Sequence, residues 1–308
     1  MSDPIPSPHE SQPAQPAIEL TISSIISQNR RTATPFAVTK HTAEAARNWD
    51  KFYKNHADKF FKDRHWTGRE FGSELASGKA KGEDDRAEET ALVSADVGGQ
   101  SVLLEVGCGV GNMLYPLLED NVALKVHACD FSSRAVDMVR SHPRFDDDRV
   151  NAFVYDLTTT DPPLSSFLTK KDWPEVTTIS LIFVLSAIPP QLHAQVLRNL
   201  ADLLPNGGHI LFRDYAYGDL SQVRYHTKKD AAWAEPSLLS DLAPWYRRGD
   251  NTFNYFFTQA QLEALAAEVG LQGEVETLRR TAVNRKSEVN MQRRFVQAKW
   301  FVPPRTQS

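Results

Sequence analysis

The chain has 308 residues, and its 35 Lys and Arg against 39 Asp and Glu give a formal net charge of −4. Its two cysteines exclude a disulfide scaffold or a cysteine-rich zinc module, and the spacing of these cysteines suggests no metal site. The acidic balance excludes a uniformly basic nucleic-acid binder, although it is compatible with a local basic face.

The first 39 residues are predicted to form a disordered or weakly ordered tail, because residues 1–16 carry five prolines together with Ser and Gln. This N-terminus lacks the basic start and apolar run of a secretory signal. Acidic residues and the lack of any Lys or Arg before Arg30 make it a poor mitochondrial presequence. We therefore expect a cytoplasmic protein, and the same features are compatible with the presence of some of it in the nucleus.

Residues 40–72 are predicted to form a helical segment. Its apolar positions recur at steps of three and four, as on one face of an α-helix: Ala45, Trp49, Phe52, Tyr53, His56 and Phe60. Residues 73–98 are rich in Gly, Ala and acidic residues, so we interpret them as a mobile connection. The following residues, 99–303, are predicted to form the main domain.

In this domain short apolar runs alternate with helical periods, which predicts parallel βαβ units and a doubly wound α/β sheet. Strands are predicted over residues 101–106, 124–130, 150–155, 179–185, 209–213, 274–278 and 295–301. Helices are predicted over 112–119, 132–141, 191–204 and 259–269, the last between an N-cap at Thr258 and a stop at Gly270. The longest apolar run, 179–188, is too short for a membrane span, which needs about 20 residues.

A glycine-rich turn, EVGCGVG at residues 105–111, follows the first strand. Glycines let the backbone approach a ligand, and the next helix offers its N-terminal amides. Asp130 ends the second strand, where a carboxylate can accept from both hydroxyls of a ribose. The NAD fingerprint fits poorly, because Asn112 occupies the place of its third small residue. A plain glycine-rich turn in any α/β protein stays an alternative at this point.

With Glu105 as its leading acid, the turn resembles the first motif of class I S-adenosylmethionine (SAM) methyltransferases, acid-x-G-x-G-x-G. The third strand ends at Asp156 and Leu157, where that superfamily contacts the adenine. This resemblance implies a Rossmann-like fold with a mostly parallel seven-stranded sheet, helices on both faces and SAM as the cofactor.

Longer runs resemble the eukaryotic tRNA N3-methylcytidine methyltransferases and follow that family's order over about residues 45–303. They are NWDKFY from residue 48, FFKDRHW from 60, EVGCGVGN from 105, CDFS from 129, LIFVLSA from 181, FRDY from 212 and YFFT from 255. The resemblance implies SAM-dependent methylation of N3 of cytidine 32 in the anticodon loop of serine or threonine tRNAs. It leaves open which of the two tRNA groups is the substrate and whether an aminoacyl-tRNA synthetase assists.

The resemblance places the cofactor against Trp49, Tyr53, Gly107, Asp130, Asp156, Leu157 and Ile182. Its glycine motif adds Glu105, Gly109 and Gly111. Trp49 and Tyr53 lie one helical turn apart, so both rings share a face. Ordinary core packing is the alternative to a lid over the cofactor.

N3 of neutral cytosine has an in-plane lone pair and carries no proton near neutral pH, so it can attack the methyl group without a strong base. We therefore expect positioning residues rather than a catalytic dyad. Asp214, next to Arg213 after the fifth strand, is predicted to accept from the exocyclic N4 amine; a structural ion pair between the two is the alternative. Ser186 follows the fourth strand and is expected to border the methyl-transfer pocket.

Two basic groups are candidates for RNA contacts. Lys62, Arg64 and His65 interleave with aromatic residues, a pattern that suits phosphates and unpaired bases. The second group includes Arg285, Arg293 and Arg294. A solvated charged surface is the alternative for both. Two rival functions also stay open: a methyltransferase of this fold acting on a small molecule or protein, and a catalytically inactive RNA-binding adaptor.

Overall fold

The structure is a computed structural model that describes residues 15–28, 30–56, 62–75, 101–170, 172–227, 235–284 and 289–305. Most of the predicted mobile connection, as well as Arg285, lies outside these residues.

The described helices are α1 (Gln15–Ser27), α2 (Pro35–Ala43), α3 (Ala45–His56), α4 (Trp66–Phe71), α5 (Leu114–Asp120), α6 (Ser133–Arg140), α7 (His193–Ala201), α8 (Leu220–Thr227) and α9 (Gln259–Val269). The described strands are β1 (Val102–Val106), β2 (Lys125–Asp130), β3 (Val150–Val154), β4 (Thr178–Ile182), β5 (Gly208–Tyr215), β6 (Trp245–Arg247), β7 (Phe253–Tyr255), β8 (Val275–Asn284) and β9 (Val289–Val302).

Seven strands form one sheet in the order β3-β2-β1-β4-β5-β9-β8. Strands β1 to β5 pair in parallel, whereas β9 runs antiparallel to both β5 and β8. Every residue of β1 and β4 is buried, as expected for central parallel strands covered on both faces. This arrangement confirms the predicted α/β fold. The hairpin of β6 and β7 forms a separate sheet that was not predicted, because three-residue strands are too short to show a period.

Helices cover both faces of the large sheet. Val196 of α7 and Leu262 of α9 belong to one buried apolar cluster. Leu114 of α5 and Val136 of α6 belong to a second cluster. Because each face is closed to water along its length, a ligand can reach the central strands only at their ends.

Strand β4 ends three residues earlier than predicted. Phe183 has a φ of 60°, a left-handed conformation that large side chains rarely adopt. Its N–H donates to Arg213 O at 2.8 Å, and Ser186 N–H donates to the Asp214 carboxylate at 2.9 Å. These two bonds draw the chain away from the sheet into a 3₁₀ turn, Leu185–Ala187, although its apolar composition suits a strand.

Regular structure begins earlier than the predicted boundary at residue 39, because α1 and α2 both start within the predicted tail. Helix α1 packs against α8 and buries Ile26, while Glu19 forms an ion pair with Arg294 at 2.7 Å. Thr34 caps α2, which has Pro35 in its first turn. The contacts of α1 are with residues some 200 positions or more away, so local composition does not reveal them.

Helix α9 begins and ends where the sequence predicts. The Thr258 hydroxyl accepts from Gln261 N–H at 3.2 Å, and the Gln261 side chain accepts from Thr258 N–H at 3.1 Å, forming a capping box. Gly270 then takes a φ of 81°, a conformation that glycine adopts at low cost, and ends the helix.

Replacing Thr258 tests this cap. Thr258→Ala removes the acceptor for the Gln261 N–H and should lower the free energy of unfolding by about 1 kcal/mol in urea denaturation. Thr258→Ser keeps the hydroxyl and should stay within about 0.5 kcal/mol of the unmodified protein. Equal stability of the Ala variant would show that α9 does not depend on its cap.

Candidate functional site

The carboxyl ends of β1 and β4 border a crevice, because the order of the strands in the sheet reverses between them. Two adjoining cavities occupy it. Their shared wall consists of Trp49, Tyr53, Gly107, Phe183, Ala187 and Phe253. We call them the larger cavity, which reaches Asp130 and Asp156, and the smaller cavity, which reaches Arg64 and Asn254.

The larger cavity, of about 210 Å³, collects most of the predicted cofactor residues. Those that line it are Trp49, Tyr53, Gly107, Asp130, Asp156 and Leu157. Gly109 and Ile182 line the smaller cavity instead. Glu105 and Gly111 line neither cavity, and Glu105 is buried on β1 just before the turn.

The glycine turn is shaped by a contact with α3 and by a carboxylate. Gly109 has a φ of 55°, and a Cβ there would lie 3.0 Å from the Tyr53 hydroxyl. The Asp130 carboxylate accepts from Gly109 N–H at 3.0 Å and from Ser132 N–H at 2.9 Å. Glycine therefore lets the Tyr53 ring approach the turn, while Asp130 fixes the turn relative to β2.

Two buried carboxyl groups flank this turn. Burial raises the pKa of Asp130 to about 6, partly offset by the N–H groups of Ser132 and Gly109. Burial also raises the pKa of Glu105 to about 8, against the charge of Arg64, and Glu105 Oε2 has no hydrogen-bond partner among the described residues. Buried unpaired oxygens are uncommon away from functional sites.

These residues fit an adenosine-containing cofactor. Asp130 can accept from ribose hydroxyls, and the side chains of Leu157 and Ile188 offer an apolar surface for a base. The Asp156 carboxylate accepts from the backbone and hydroxyl of Thr158 at 2.8 and 2.7 Å, which holds the loop after β3 against the cavity.

Helix α3 packs over the glycine turn, which the Tyr53 ring contacts at Gly109. The rings of Trp49 and Tyr53 lie 5.8 Å apart and line both cavities. Asn48 donates to Asn251 O at 3.2 Å, and Asp50 accepts from the Ser132 hydroxyl at 2.5 Å. The helix is therefore fixed both to the loop that joins β6 and β7 and to the start of α6.

The smaller cavity combines aromatic rings with uncharged and cationic polar groups. Its rings include Phe183 and Tyr215, whose centroids lie 5.0 Å apart, and Phe253. Its polar side chains are Arg64, Asn112, Ser186, Arg248 and Asn254, and none of the described lining residues carries a carboxylate. Sequence analysis identified Ser186 but missed Tyr215, Arg248, Phe253 and Asn254. The FRDY and YFFT runs were the available signal for Tyr215 and for the hairpin.

Asp214 and Arg213, for which a catalytic contact is predicted, line neither of these two cavities. Asp214 is fully buried and accepts from the N–H groups of Ser186 and Tyr215; burial raises its pKa to about 7. The Arg213 guanidinium stacks 4.1 Å from the Trp66 ring. The two side chains form no ion pair with each other within the described structure. The contact to Ser186 makes Asp214 a positioning residue for the turn that borders the smaller cavity.

Arg293 and Arg294, two of the predicted RNA-contacting residues, both form ion pairs within the fold. Arg293 donates to the fully buried Asp219 carboxylate at 2.8 Å, and this ion pair raises the pKa of Arg293. Arg294 is 8% exposed and forms its ion pair with Glu19. Both guanidiniums therefore connect β9 to neighbouring helices or loops, because buried cations need acidic partners.

The first basic group divides in two. Lys62 and His65 are exposed, whereas Arg64 between them is half-buried and lines the smaller cavity.

No described helix is long and apolar enough to cross a bilayer. Within the described ranges, His, Cys, Asp and Glu side chains form no cluster suited to a metal ion.

The structural role of Arg293 is testable through its partner. Asp219→Ala leaves the Arg293 Nε–H and the Arg294 N–H without their acceptor, so the free energy of unfolding should fall by about 1.5–3 kcal/mol. Asp137→Ala, which removes an exposed carboxylate of α6, should change it by less than about 0.5 kcal/mol. Denaturation curves that coincide for both variants would contradict the structural assignment.

Comparisons with known proteins agree with this geometry. A family model described as a methyltransferase domain matches residues 71–275. The tRNA N(3)-methylcytidine methyltransferase trm141 of Schizosaccharomyces pombe is 37% identical over 266 residues, which are 86% of this chain and 95% of that protein. The tRNA N(3)-cytidine methyltransferase METTL6 of Mus musculus is 37% identical over 91% of this chain and 89% of its own length.

Solved structures show the same fold at low identity. A SAM-dependent methyltransferase from Anabaena variabilis has a TM-score of 0.56 at 10% identity, covering 83% of this chain and 93% of that chain. An N1-methyltransferase from Burkholderia thailandensis, solved with S-adenosylhomocysteine, has a TM-score of 0.51 at 13% identity, covering 88% and 91%. The fold, the cofactor crevice and the extent of the sequence match lead to one assignment: the chain belongs to the SAM-dependent tRNA N3-methylcytidine methyltransferase family.

Proposed function

We propose that this enzyme transfers the methyl group of SAM to N3 of cytidine 32 in the anticodon loop of serine or threonine tRNAs. The observation that carries the proposal is the ring-lined smaller cavity, which shares a wall with the larger cavity. A flat base placed there would lie next to the cofactor.

The chemistry of the smaller cavity suits a nucleophile that needs no deprotonation. Methyl transfer forms the N3–CH₃ bond with the ring lone pair and breaks the S–CH₃ bond of SAM, so no proton has to leave before the attack. The described residues that line this cavity carry no carboxylate, which agrees with this requirement. Phe183, Tyr215 and Phe253 offer aromatic faces, which can stack on a base and tolerate the cationic product ring.

N3 lies on the Watson–Crick edge, so the target base must be unpaired and turned out of its stack. An anticodon loop supplies such a base at low cost. Lys62 and His65 are exposed next to Arg64, and thus close to the smaller cavity, where cations can hold the RNA backbone. Residues 40–72 would then serve both ligands, with α3 covering the cofactor and the residues after it meeting the tRNA.

Methylation of defined tRNAs tests the proposal. Purified enzyme with SAM should form N3-methylcytidine in serine or threonine tRNA transcripts, and nucleoside mass spectrometry should place it at position 32. A C32U transcript should carry no methyl group. Parallel reactions with and without the matching aminoacyl-tRNA synthetase should show whether a partner is needed.

The rival functions give different outcomes in the same assay. Methylation of a small molecule or protein, with none on tRNA under any of these conditions, would replace the proposal with the first rival. Binding of tRNA without SAM binding in calorimetry would favour the inactive adaptor. Methyl groups on tRNA at a position other than 32 would agree with a tRNA methyltransferase but contradict cytidine 32 as its target.

The buried carboxylate at Asp130 predicts a pH-dependent affinity for SAM. The ionised form is the better acceptor for ribose hydroxyls, and the pKa of this group in the free protein is about 6. Affinity should therefore weaken as pH falls from 8 to 5. Asp130→Asn should weaken binding at pH 8 by roughly 10- to 150-fold and remove most of the dependence below pH 7. If the Asp130→Asn variant bound SAM as tightly as the unmodified enzyme, or with the same dependence on pH, this role of Asp130 would be contradicted.

A further inference from the structure

The amide side chain of Asn254 is buried, yet it has no hydrogen-bond partner in the described part of the chain. Asn254 is 4% exposed and lies on β7, where its backbone pairs with Tyr246 of β6. None of the described residues donates to its Oδ1 atom or accepts from its Nδ2 atom. An unpaired buried amide costs about 1–3 kcal/mol, so most buried amides are paired. We expect such an open group where a ligand supplies the missing partner.

Asn254 lines the smaller cavity and is not part of the wall of the larger one. Its strand packs against the 3₁₀ turn Leu185–Ala187, which borders the same cavity. Its cross-strand partner Tyr246 belongs to an apolar cluster against which Tyr215 packs, and paired residues share one face of a hairpin. The amide therefore lies on the Tyr215 side of the hairpin, where the acceptor base is proposed to bind.

The hairpin that carries Asn254 is held in place by other groups. The Arg248 N–H donates to Thr252 O at 2.8 Å and closes the connection between β6 and β7. Asn251 O in this connection accepts from the Asn48 side chain of α3 at 3.2 Å. These bonds fix the backbone at the cavity without using the amide of Asn254, so that amide is free to bind a ligand.

The amide oxygen adds an acceptor that the charged groups of the smaller cavity do not supply. Arg64 and Arg248 have N–H donors and no acceptor. The Asp214 carboxylate, which was expected to accept from the base, accepts instead from the N–H groups of Ser186 and Tyr215. A base with an amino group can therefore pair with the oxygen of Asn254 but not with the guanidiniums.

Cytosine carries two exocyclic groups beside N3, the O2 carbonyl and the N4 amine. O2 is an acceptor and suits a guanidinium, whereas the amine is a donor and needs an oxygen. Methylation of N3 makes the ring cationic, and the N4 amine shares the positive charge. A hydrogen bond donated by this amine therefore strengthens as the N3–CH₃ bond forms, so its acceptor stabilises the transition state more than the bound substrate.

We propose that the amide oxygen of Asn254 accepts from the N4 amine of the cytosine that is methylated, orients its N3 atom and stabilises the developing cation. Asn254 thus takes the role that the sequence suggested for Asp214. The assignment rests on the proposed function, in which the smaller cavity holds the acceptor base. It does not depend on the position of this cytidine in the tRNA or on the tRNA group.

A tRNA in which 2-pyrimidinone replaces the target base tests this contact, because that base lacks the N4 amine and keeps the N3 lone pair. The target cytidine is first mapped with the unmodified enzyme by mass spectrometry, and rate constants are then measured in single turnovers. Asn254→Ala should lower the rate on the cytidine tRNA by roughly 10- to 100-fold and on the pyrimidinone tRNA by less than about threefold, since a lost partner cannot be lost again. The affinity for SAM in calorimetry should stay within about twofold, because Asn254 does not line the larger cavity.

Two further variants separate this role from a structural one. Asn254→Asp keeps the shape of the side chain and an acceptor oxygen, so it should keep the ratio of the two rates within about threefold of the unmodified enzyme. Asn251→Ala removes an amide that lies in the same hairpin but lines neither cavity and accepts from Arg247 at 2.7 Å. Any loss that it causes should be of equal size for the two tRNAs.

Equal losses on the two tRNAs in Asn254→Ala would overturn the proposal and make the amide a structural group. An Asn254→Asp enzyme without the preference for cytidine would contradict an acceptor role, even if the Ala variant proved unstable. Failure of the unmodified enzyme to methylate cytidine in any tRNA would overturn the proposed function and this contact together. Normal methylation with equal losses would overturn the contact alone.

Discussion

The reversal of strand order between β1 and β4 is the constraint on which the rest of the site depends. Both faces of the sheet are closed by helices, so polar groups on the central strands can reach a ligand only where the connections diverge. The glycine turn, Asp130 and the left-handed Phe183 all lie at this one edge. The two cavities therefore adjoin because of the topology, and donor and acceptor of the methyl group can meet there.

Charge is divided between the two sides of this edge. Asp130 lies at the larger cavity and Glu105 next to the turn, and burial raises the pKa of both carboxyl groups. The smaller cavity has guanidiniums and rings instead. Arginines further along β9 are neutralised by Glu19 and Asp219 and connect elements of the fold. An arginine's function here follows from its partner rather than from its place in a basic run.

Local patterns predicted the parallel strands and the ends of α9, because periodicity and caps act over a few residues, whereas most of the residues that line the larger cavity were expected from the resemblance to a known family. They did not predict the end of β4 or the inward orientation of Arg64, which depend on contacts with distant strands. The same reason explains Arg294, whose acidic partner lies 275 residues earlier in the chain. Asp214 was expected after the end of a strand, yet β5 continues to Tyr215, and the Asp214 carboxylate is fully buried and accepts from the N–H groups of Ser186 and Tyr215.

The most direct test of the central claim is the distribution of N3-methylcytidine in cellular tRNA. The modification blocks the Watson–Crick edge, so reverse transcription misreads or stops at it. After deletion of the gene, sequencing should show that this signal disappears from position 32 of a set of serine or threonine tRNAs, and returns with the unmodified gene but not with an Asp130→Asn copy. An unchanged signal at position 32 in every tRNA would contradict the account.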